Sequence, residues 1–229
     1  MPVSDSMPGD VQLLHRALTT LHNPTQSYTT LHLSNCGTAM RFLTAYAAQL
    51  ENRVTILDGV ERMHHRPIGQ LVDALREIGA DIEYLGEEGF PPLRIKGCIL
   101  DKHRIVTINN PLSTQYISAL LLIGANVITN STSPYIHLTH SLIENYLQRS
   151  DLQRACERPS AQRSTESTAN ELECDWSSAA FWYEFVALHG GEIKLPGLYK
   201  DSLQGDRVVA NIFSHLGVHT TNTAEGITL

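Results

Sequence analysis

Three short stretches carry the residue types needed to hold an anion. Asn35-Cys36-Gly37-Thr38 falls between an extended segment and a helical one. Gly37 lets backbone approach a ligand closely. A helix that starts there offers unpaired N–H groups and the positive end of its dipole, which suit phosphate or carboxylate. The same residues also read as a plain helix cap through Asn35 or Thr38. Arg66 lies in Glu61–Gly69, just before Pro67, which fits the first turn of a helix. Its guanidinium can grip an oxyanion with two parallel N–H groups, or remain a solvated surface charge. Ser113-Thr114-Gln115 supplies two hydroxyls and an amide at a third helix start, as an anion cradle or as a cap.

Other polar groups read as structural. Asp175-Trp176-Ser177-Ser178 and Asp206, after Gly205, fit helix caps better than ligand sites. Cys36 has no partner in the sequence and reads as a small buried residue. His64 and His65 are adjacent in an expected loop and lack a third ligand at a usable spacing, so no metal site is expected.

The elements that must position these residues form a repeat. The clearest copy runs from Tyr28 to Gly97. Its plan is strand Thr29–Leu33, helix Ala39–Leu50, strand Val54–Leu57, helix Ile68–Ile78, then strands Asp81–Leu85 and Pro92–Lys96. Leu71, Ala74, Leu75 and Ile78 make one helical face, and Gly79 stands where a helix end favours glycine. A middle copy begins at Ser113, with a helix to Ile123, a strand at Val127–Thr129 and a helix from Pro134 to Leu147. Its closing strands are missing. Arg149–Glu171, rich in Ser, Thr, Arg, Glu and Gln, reads as a loop or linker. A last copy has helix Ser177–His189, strand Glu192–Leu195, a helix from Gln204 to Leu216, and strands Val218–Thr221 and Gly226–Leu229. Ahead of all three, Val11–Leu21 reads as a short helix. The expected fold class is therefore α/β, built from βαβαββ units that must pack on one another.

Composition narrows the function classes. Apolar residues make up 42% of the 229, enough for a real core. With 17 basic against 24 acidic residues the formal charge is −7, and no Lys/Arg-rich run stands out, so no nucleic-acid partner is expected. An anionic ligand must then be held locally by a few placed groups. The N-terminus has no basic and apolar signal pattern. The longest apolar run, Tyr116–Ile128, falls short of the roughly 20 residues a bilayer demands, so no membrane is expected. Four scattered cysteines (Cys36, Cys98, Cys156, Cys174) fit reduced thiols in a cytoplasmic protein.

These stretches resemble the 5-enolpyruvylshikimate-3-phosphate synthase family (3-phosphoshikimate 1-carboxyvinyltransferases). The matching segments are SNCGTAMRFLTAY at Ser34–Tyr46, LDGVERMHHRPIGQLVDALREIGADIEYL at Leu57–Leu85, GFPPLRIKG at Gly89–Gly97, STQYISALL at Ser113–Leu121, SPYIHLT at Ser133–Thr139 and LQGDRVVANIFSHLGV at Leu203–Val218. ECDWSSAAFWYE at Glu173–Glu184 is similar to the Bacteroidetes branch. The resemblance runs from about residue 10 to the end, with Arg149–Glu171 unmatched.

The resemblance implies an inside-out α/β barrel of βαβαββ units, incomplete here. Residues 1–160 would be most of the upper, substrate-binding domain and 161–229 one unit of the lower domain. The implied activity transfers the enolpyruvyl group of phosphoenolpyruvate to the 5-hydroxyl of shikimate 3-phosphate with release of phosphate. It uses no metal and no organic cofactor, in a cytoplasmic monomer. By motif, Gly37, Arg66 and Gln115 would contact phosphoenolpyruvate. Ser113, Thr114, Gln115, Thr132 and Tyr135 would hold shikimate 3-phosphate, and Asn35 and Thr38 would shape the loop. The family's N-terminal Lys-Ser motif, its general-base aspartate and its catalytic lysine have no counterpart in the sequence. Ser133 and His137 replace a basic residue and an aspartate of the family pattern. A chain truncated at both ends is expected, with the alternative of a catalytically incomplete remnant that at most binds shikimate 3-phosphate.

Overall fold

The computed structural model describes residues 8–23, 26–156 and 173–229, the side chains of 148–156 excepted. The chain divides into two compact units, Met1–Thr132 and Ser133–Leu229. The boundary expected between residues 160 and 161 lies outside the described residues.

The first unit opens with α1 (Gly9–His22) and then builds the first repeat copy. Strand β1 (Tyr28–His32) is followed by α2 (Gly37–Ala48), β2 (Val54–Asp58), α3 (Glu61–His64), α4 (Gly69–Glu77), β3 (Asp81–Tyr84) and β4 (Leu93–Lys96). The sheet order is β1-β2-β4-β3. β1 and β2 run parallel, with Tyr28 opposite Val54, because a helix carries the chain back between them. β4 returns antiparallel between β2 and β3. Alternate residues of β1 are buried, which puts Leu31 on the helix-covered face. Leu71, Val72, Leu75 and Ile78 bury the inner side of α4. Gly79 then ends the helix at φ +100°, and Ala80 N–H donates to Leu75 O at 2.9 Å.

The middle copy contributes β5 (Ile105–Thr107), α5 (Gln115–Leu122) and β6 (Asn126–Ile128), with β5 and β6 parallel. The sequence reading omits β5. Its three residues are too few to show a period of two, so only the partner strand reveals it. A second correction concerns Glu61–His64, expected as loop. It forms the one-turn helix α3, and Pro67 then stands two residues ahead of α4 rather than in its first turn.

The second unit starts with α6 (Pro134–Cys156). This helix runs past the expected end at Leu147, so residues 149–156 are helical rather than loop; 157–171 lie outside the described residues. α7 (Trp176–His189), β7 (Lys194–Pro196), a 3₁₀ turn (Gly205–Val208), α8 (Val209–Ser214), β8 (Thr221–Asn222) and β9 (Gly226–Thr228) follow. The order β7-β9-β8, antiparallel throughout, repeats the β2-β4-β3 half of the first copy. The last two strands of this copy were expected from Val218 and Gly226; the first of them sits three residues later, at Thr221. Trp176, Ala179, Tyr183, Val186, Leu198 and Ile227 form its core. Among the described residues, no helix is long and apolar enough to cross a membrane.

Candidate anion site and its second-unit counterpart

The loop from β1 to α2 is anchored before any ligand arrives. Leu33 N–H donates to Asp58 O at 2.7 Å, and Val60 N–H donates to Ser34 O at 3.0 Å. Ser34 sits at φ +50°, and a Cβ on Gly59 would stand 2.6 Å from Ser34 O, so this approach requires glycine. Helix α2 is capped by Cys36, whose Sγ accepts from Ala39 N–H at 3.4 Å. The sequence reading gave that role to Asn35 or Thr38. Both are thereby left free of it, with Asn35 exposed at the mouth.

Asp58, at the end of β2, accepts from Gly59 N–H at 2.7 Å and pairs with His64 Nε2 at 2.8 Å. Burial pushes the Asp58 carboxyl up, but the His64 and Gly59 hydrogen bonds outweigh it and hold it below the usual carboxylate value. Through His64 this fixes α3, and Arg66 N–H donates back to Met63 O at 3.0 Å. Arg66 therefore leaves a short, pinned helix and lies over Gly37. A Cβ on Gly37 would run into its guanidinium. Among the described residues the Arg66 guanidinium has no hydrogen-bond or ion-pair partner.

Gln115 is held from both sides. Its Oε1 accepts from Arg41 Nη1 at 2.7 Å, and its Nε2 donates to Thr38 Oγ1 at 3.1 Å. Ser113 Oγ accepts from Gln115 N–H at 3.3 Å, while Thr114 makes no side-chain cap. Arg41 lies 5.7 Å from the Tyr116 ring centre, and Tyr116 donates its hydroxyl proton to Pro67 O at 2.6 Å. Burial pushes the Tyr116 phenol up, more than the neighbouring Arg41 lowers it, which keeps it a donor. A cleft of about 540 Å³ opens onto Ser34–Thr38, Arg41 and Arg66, with α1 contributing Gly9, Asp10 and Leu13. Two guanidiniums face one carboxylate there, in a chain of net charge −7. Such a site can neutralise and orient a small dianion.

The structure thus brings together Gly37, Thr38, Arg66 and Gln115, with Ser113 and Thr114 at the start of α5. Thr132, exposed, ends the first unit. Tyr135 lies in the first turn of α6, in the second unit, 39% exposed. Sequence reasoning missed Arg41. The signal was its spacing: four residues after Gly37 puts it on the same helix face. It also treated Asp175 and Asp206 alike. Asp175 is indeed the cap of α7, accepting from Ser177 N–H at 3.0 Å and Ser178 N–H at 3.1 Å. Asp206 instead accepts from the Tyr135 hydroxyl at 2.8 Å and from the Ser177 hydroxyl. Among the described residues, no group of three or more His, Cys, Asp or Glu side chains is placed to hold a metal.

A family model, EPSP synthase (3-phosphoshikimate 1-carboxyvinyltransferase), matches residues 9–229. The chain belongs to the EPSP synthase family. The 3-phosphoshikimate 1-carboxyvinyltransferase of Bacteroides fragilis is 40% identical over 231 residues, covering 96% of this chain and 54% of its own length. The enzyme of that name from Cellvibrio japonicus is 38% identical over 203 residues, covering 83% and 47%. The chain spans about half the length of the curated relatives it matches. The solved EPSP synthase of Acinetobacter baumannii superposes with a TM-score of 0.59 at 22% identity, over 87% of this chain and 47% of that one. The fold is that of the EPSP synthases: inside-out α/β, assembled from βαβαββ units. The described residues carry one such unit whole, a middle one without its two closing strands and a last one without its opening strand, in three separate sheets.

Proposed function

We propose that the chain serves 3-phosphoshikimate 1-carboxyvinyl transfer, with the first unit holding phosphoenolpyruvate against shikimate 3-phosphate. Residues 1–160 then act as most of the upper, substrate-binding domain and 161–229 as one unit of the lower. The observation that carries this reading is the Arg66 guanidinium over Gly37 at the start of α2, without a hydrogen-bond or ion-pair partner among the described residues, beside a Gln115 already oriented by Arg41 and Thr38. A helix start and a free guanidinium suit the phosphate or carboxylate of phosphoenolpyruvate. In this reading Ser113, Thr114 and Gln115 hydrogen-bond the phosphorylated polyol, and Thr132 and Tyr135 are further contacts to it. Asn35 and Thr38 shape the loop.

The reaction adds the 5-hydroxyl oxygen of shikimate 3-phosphate to C2 of phosphoenolpyruvate as C3 takes up a proton and the hydroxyl gives one up. Loss of a C3 proton then re-forms the double bond and expels phosphate. The groups placed here meet the charge requirement, binding the anions and stabilising the phosphate as it leaves. Proton transfer requires an acid and a base at the reacting atoms, a role assigned to none of these residues. The reading further implies a cytoplasmic monomer acting without metal, organic cofactor or nucleic acid.

The test is phosphate release from phosphoenolpyruvate in the presence of shikimate 3-phosphate, by the purified chain and by Arg66→Ala. Release above a no-enzyme control that disappears in Arg66→Ala supports transfer. Binding of shikimate 3-phosphate without release limits the chain to the binding half of the reaction. Neither binding nor release overturns the reading.

A further inference from the structure

In the second unit, Gln204-Gly205-Asp206 presses against two helix starts at once. Gln204 Oε1 accepts from Trp176 N–H at 3.0 Å, and its Nε2 donates to Cys174 O at 2.8 Å, which clamps the segment to the entry of α7. A Cβ on Gly205 would stand 2.7 Å from Pro134 Cγ and 3.6 Å from Tyr135 Cε2, so only glycine lets the 3₁₀ turn lie against the first turn of α6. Asp206 is the product of that approach. Its Oδ2 takes the Tyr135 hydroxyl proton at 2.8 Å and the Ser177 hydroxyl proton as well. Ser177 is itself fixed, since its N–H is bound by the Asp175 cap.

Tyr135 is consequently unlike a free surface tyrosine. Its single donor is committed inward, so the phenol oxygen can meet a ligand only as an acceptor. We infer that Asp206 is a positioning residue that aims the Tyr135 phenol and commits its proton, so that Tyr135 accepts a hydrogen bond from a ring hydroxyl of the phosphorylated polyol. This rests on the reading above that Tyr135 contacts shikimate 3-phosphate. Asp206 need not touch that ligand. The chemistry selects a ligand hydroxyl that can donate, and disfavours an ether or ketone at the same place, because two acceptors would face each other.

A second consequence is visible without any ligand. Burial pushes the Tyr135 phenol up, and the Asp206 hydrogen bond and charge add to this, to about 12. Removing the carboxylate charge should bring it back towards the ordinary value near 10.

The test combines both readouts on the full chain. Affinity for shikimate 3-phosphate is measured by calorimetry for wild type, Tyr135→Phe, Asp206→Ala, Asp206→Asn and the double variant Tyr135→Phe/Asp206→Ala. Phenol titration is followed by ¹³C-tyrosine NMR, with Tyr135→Phe giving the assignment. Each single loss should weaken binding by about 5-fold, the scale of one hydrogen bond, and the double variant no further. Asp206→Asn, whose amide oxygen still accepts, should recover part of the affinity while the phenol titrates lower. Additive losses, or full affinity in Asp206→Ala, overturn the inference. A Tyr135 titration that stays in place in Asp206→Asn overturns it too, whatever the affinities. Wild type that binds no shikimate 3-phosphate overturns the substrate reading together with this use of Asp206, and is told apart by the titration shift persisting.

Discussion

Helices α2 and α7 stand at the same step of the repeat, each leading into the strand that pairs antiparallel with the last one, and their surroundings differ. α2 buries Ala39, Met40, Leu43, Thr44, Ala45, Ala47 and Ala48, because α1, α4 and α5 all pack on it. α7 is as apolar but buries Trp176, Ala179, Tyr183 and Val186 alone, against α8 and the 3₁₀ turn. Phe181 is 74% and Leu188 72% exposed, and the Phe185 ring stacks on His189 and meets Trp182 edge-on, both residues of its own helix. The sequences anticipate this: α2 is rich in alanine, which lets neighbours come close, whereas α7 carries large aromatics on every side. A repeat unit buries its helix all round only where further helices of its own kind are present. Polar groups inherit the contrast. Arg66 and Gln115 rest on a well-packed helix, while Tyr135 and Asp206 are held by a web of hydrogen bonds and the close approach of Gly205 to the first turn of α6.

The largest expected effect tests that contrast directly. Leu43→Ala removes a side chain that is 1% exposed and should cost about 2–5 kcal/mol in urea unfolding, through lost burial plus the cavity. Phe181→Ser, on the open side of α7, should stay within about 0.5 kcal/mol of wild type. Equal losses would mean that α7 is as enclosed as α2, and the comparison would fall.

A smaller effect separates packing from ligand binding on α2. Gly37→Ala adds a methyl that collides with the flexible end of Arg66 rather than with backbone. Gly37 is the first residue of α2, where alanine is favoured over glycine by no more than the about 0.5–1 kcal/mol of a helix interior. The variant should therefore unfold no earlier than wild type, yet bind phosphoenolpyruvate more weakly, by less than Arg66→Ala. Lower stability with unchanged binding would show that Gly37 serves packing and not the anion.

What could be read beforehand follows the same division. The first copy was legible because its signals are local: the Leu71, Ala74, Leu75, Ile78 stripe and the Gly79 stop lie within one helix. The candidate anion residues could be picked out as residue types at or beside helix ends. Their wiring was not, because Arg41 meets Gln115 across 74 positions and Tyr135 meets Asp206 across 71. An arginine within a helix, or an aspartate opening one, reads by default as surface or cap. Arg149–Cys156 was misread for a related reason: Ser, Gln and Arg are equally at home in a loop and on a solvated helix, and composition does not choose between them.

The smallest expected effect sets two carboxylates, one from each copy, side by side. Asp58 is held low by His64 and Gly59, and Asp175 by the hydroxyl and N–H of Ser178 and the N–H of Ser177, in each case against a burial contribution that pushes up. A lowered folded-state value means the carboxylate binds its proton less readily folded than unfolded. Each group therefore contributes stability above its unfolded value of about 3.8, and that contribution fades as pH falls through the lower folded value. Both side chains are substantially solvated, so the slopes are shallow and salt-sensitive. In acid titrations followed separately, by Trp176 and Trp182 fluorescence for the second unit and by NMR for the first, Asp58→Asn should flatten the acid limb of the first unit alone, and Asp175→Asn that of the second alone. A flattening that appears in both units for either substitution would show that the two copies lose structure together, and that the better-packed one does not stand by itself.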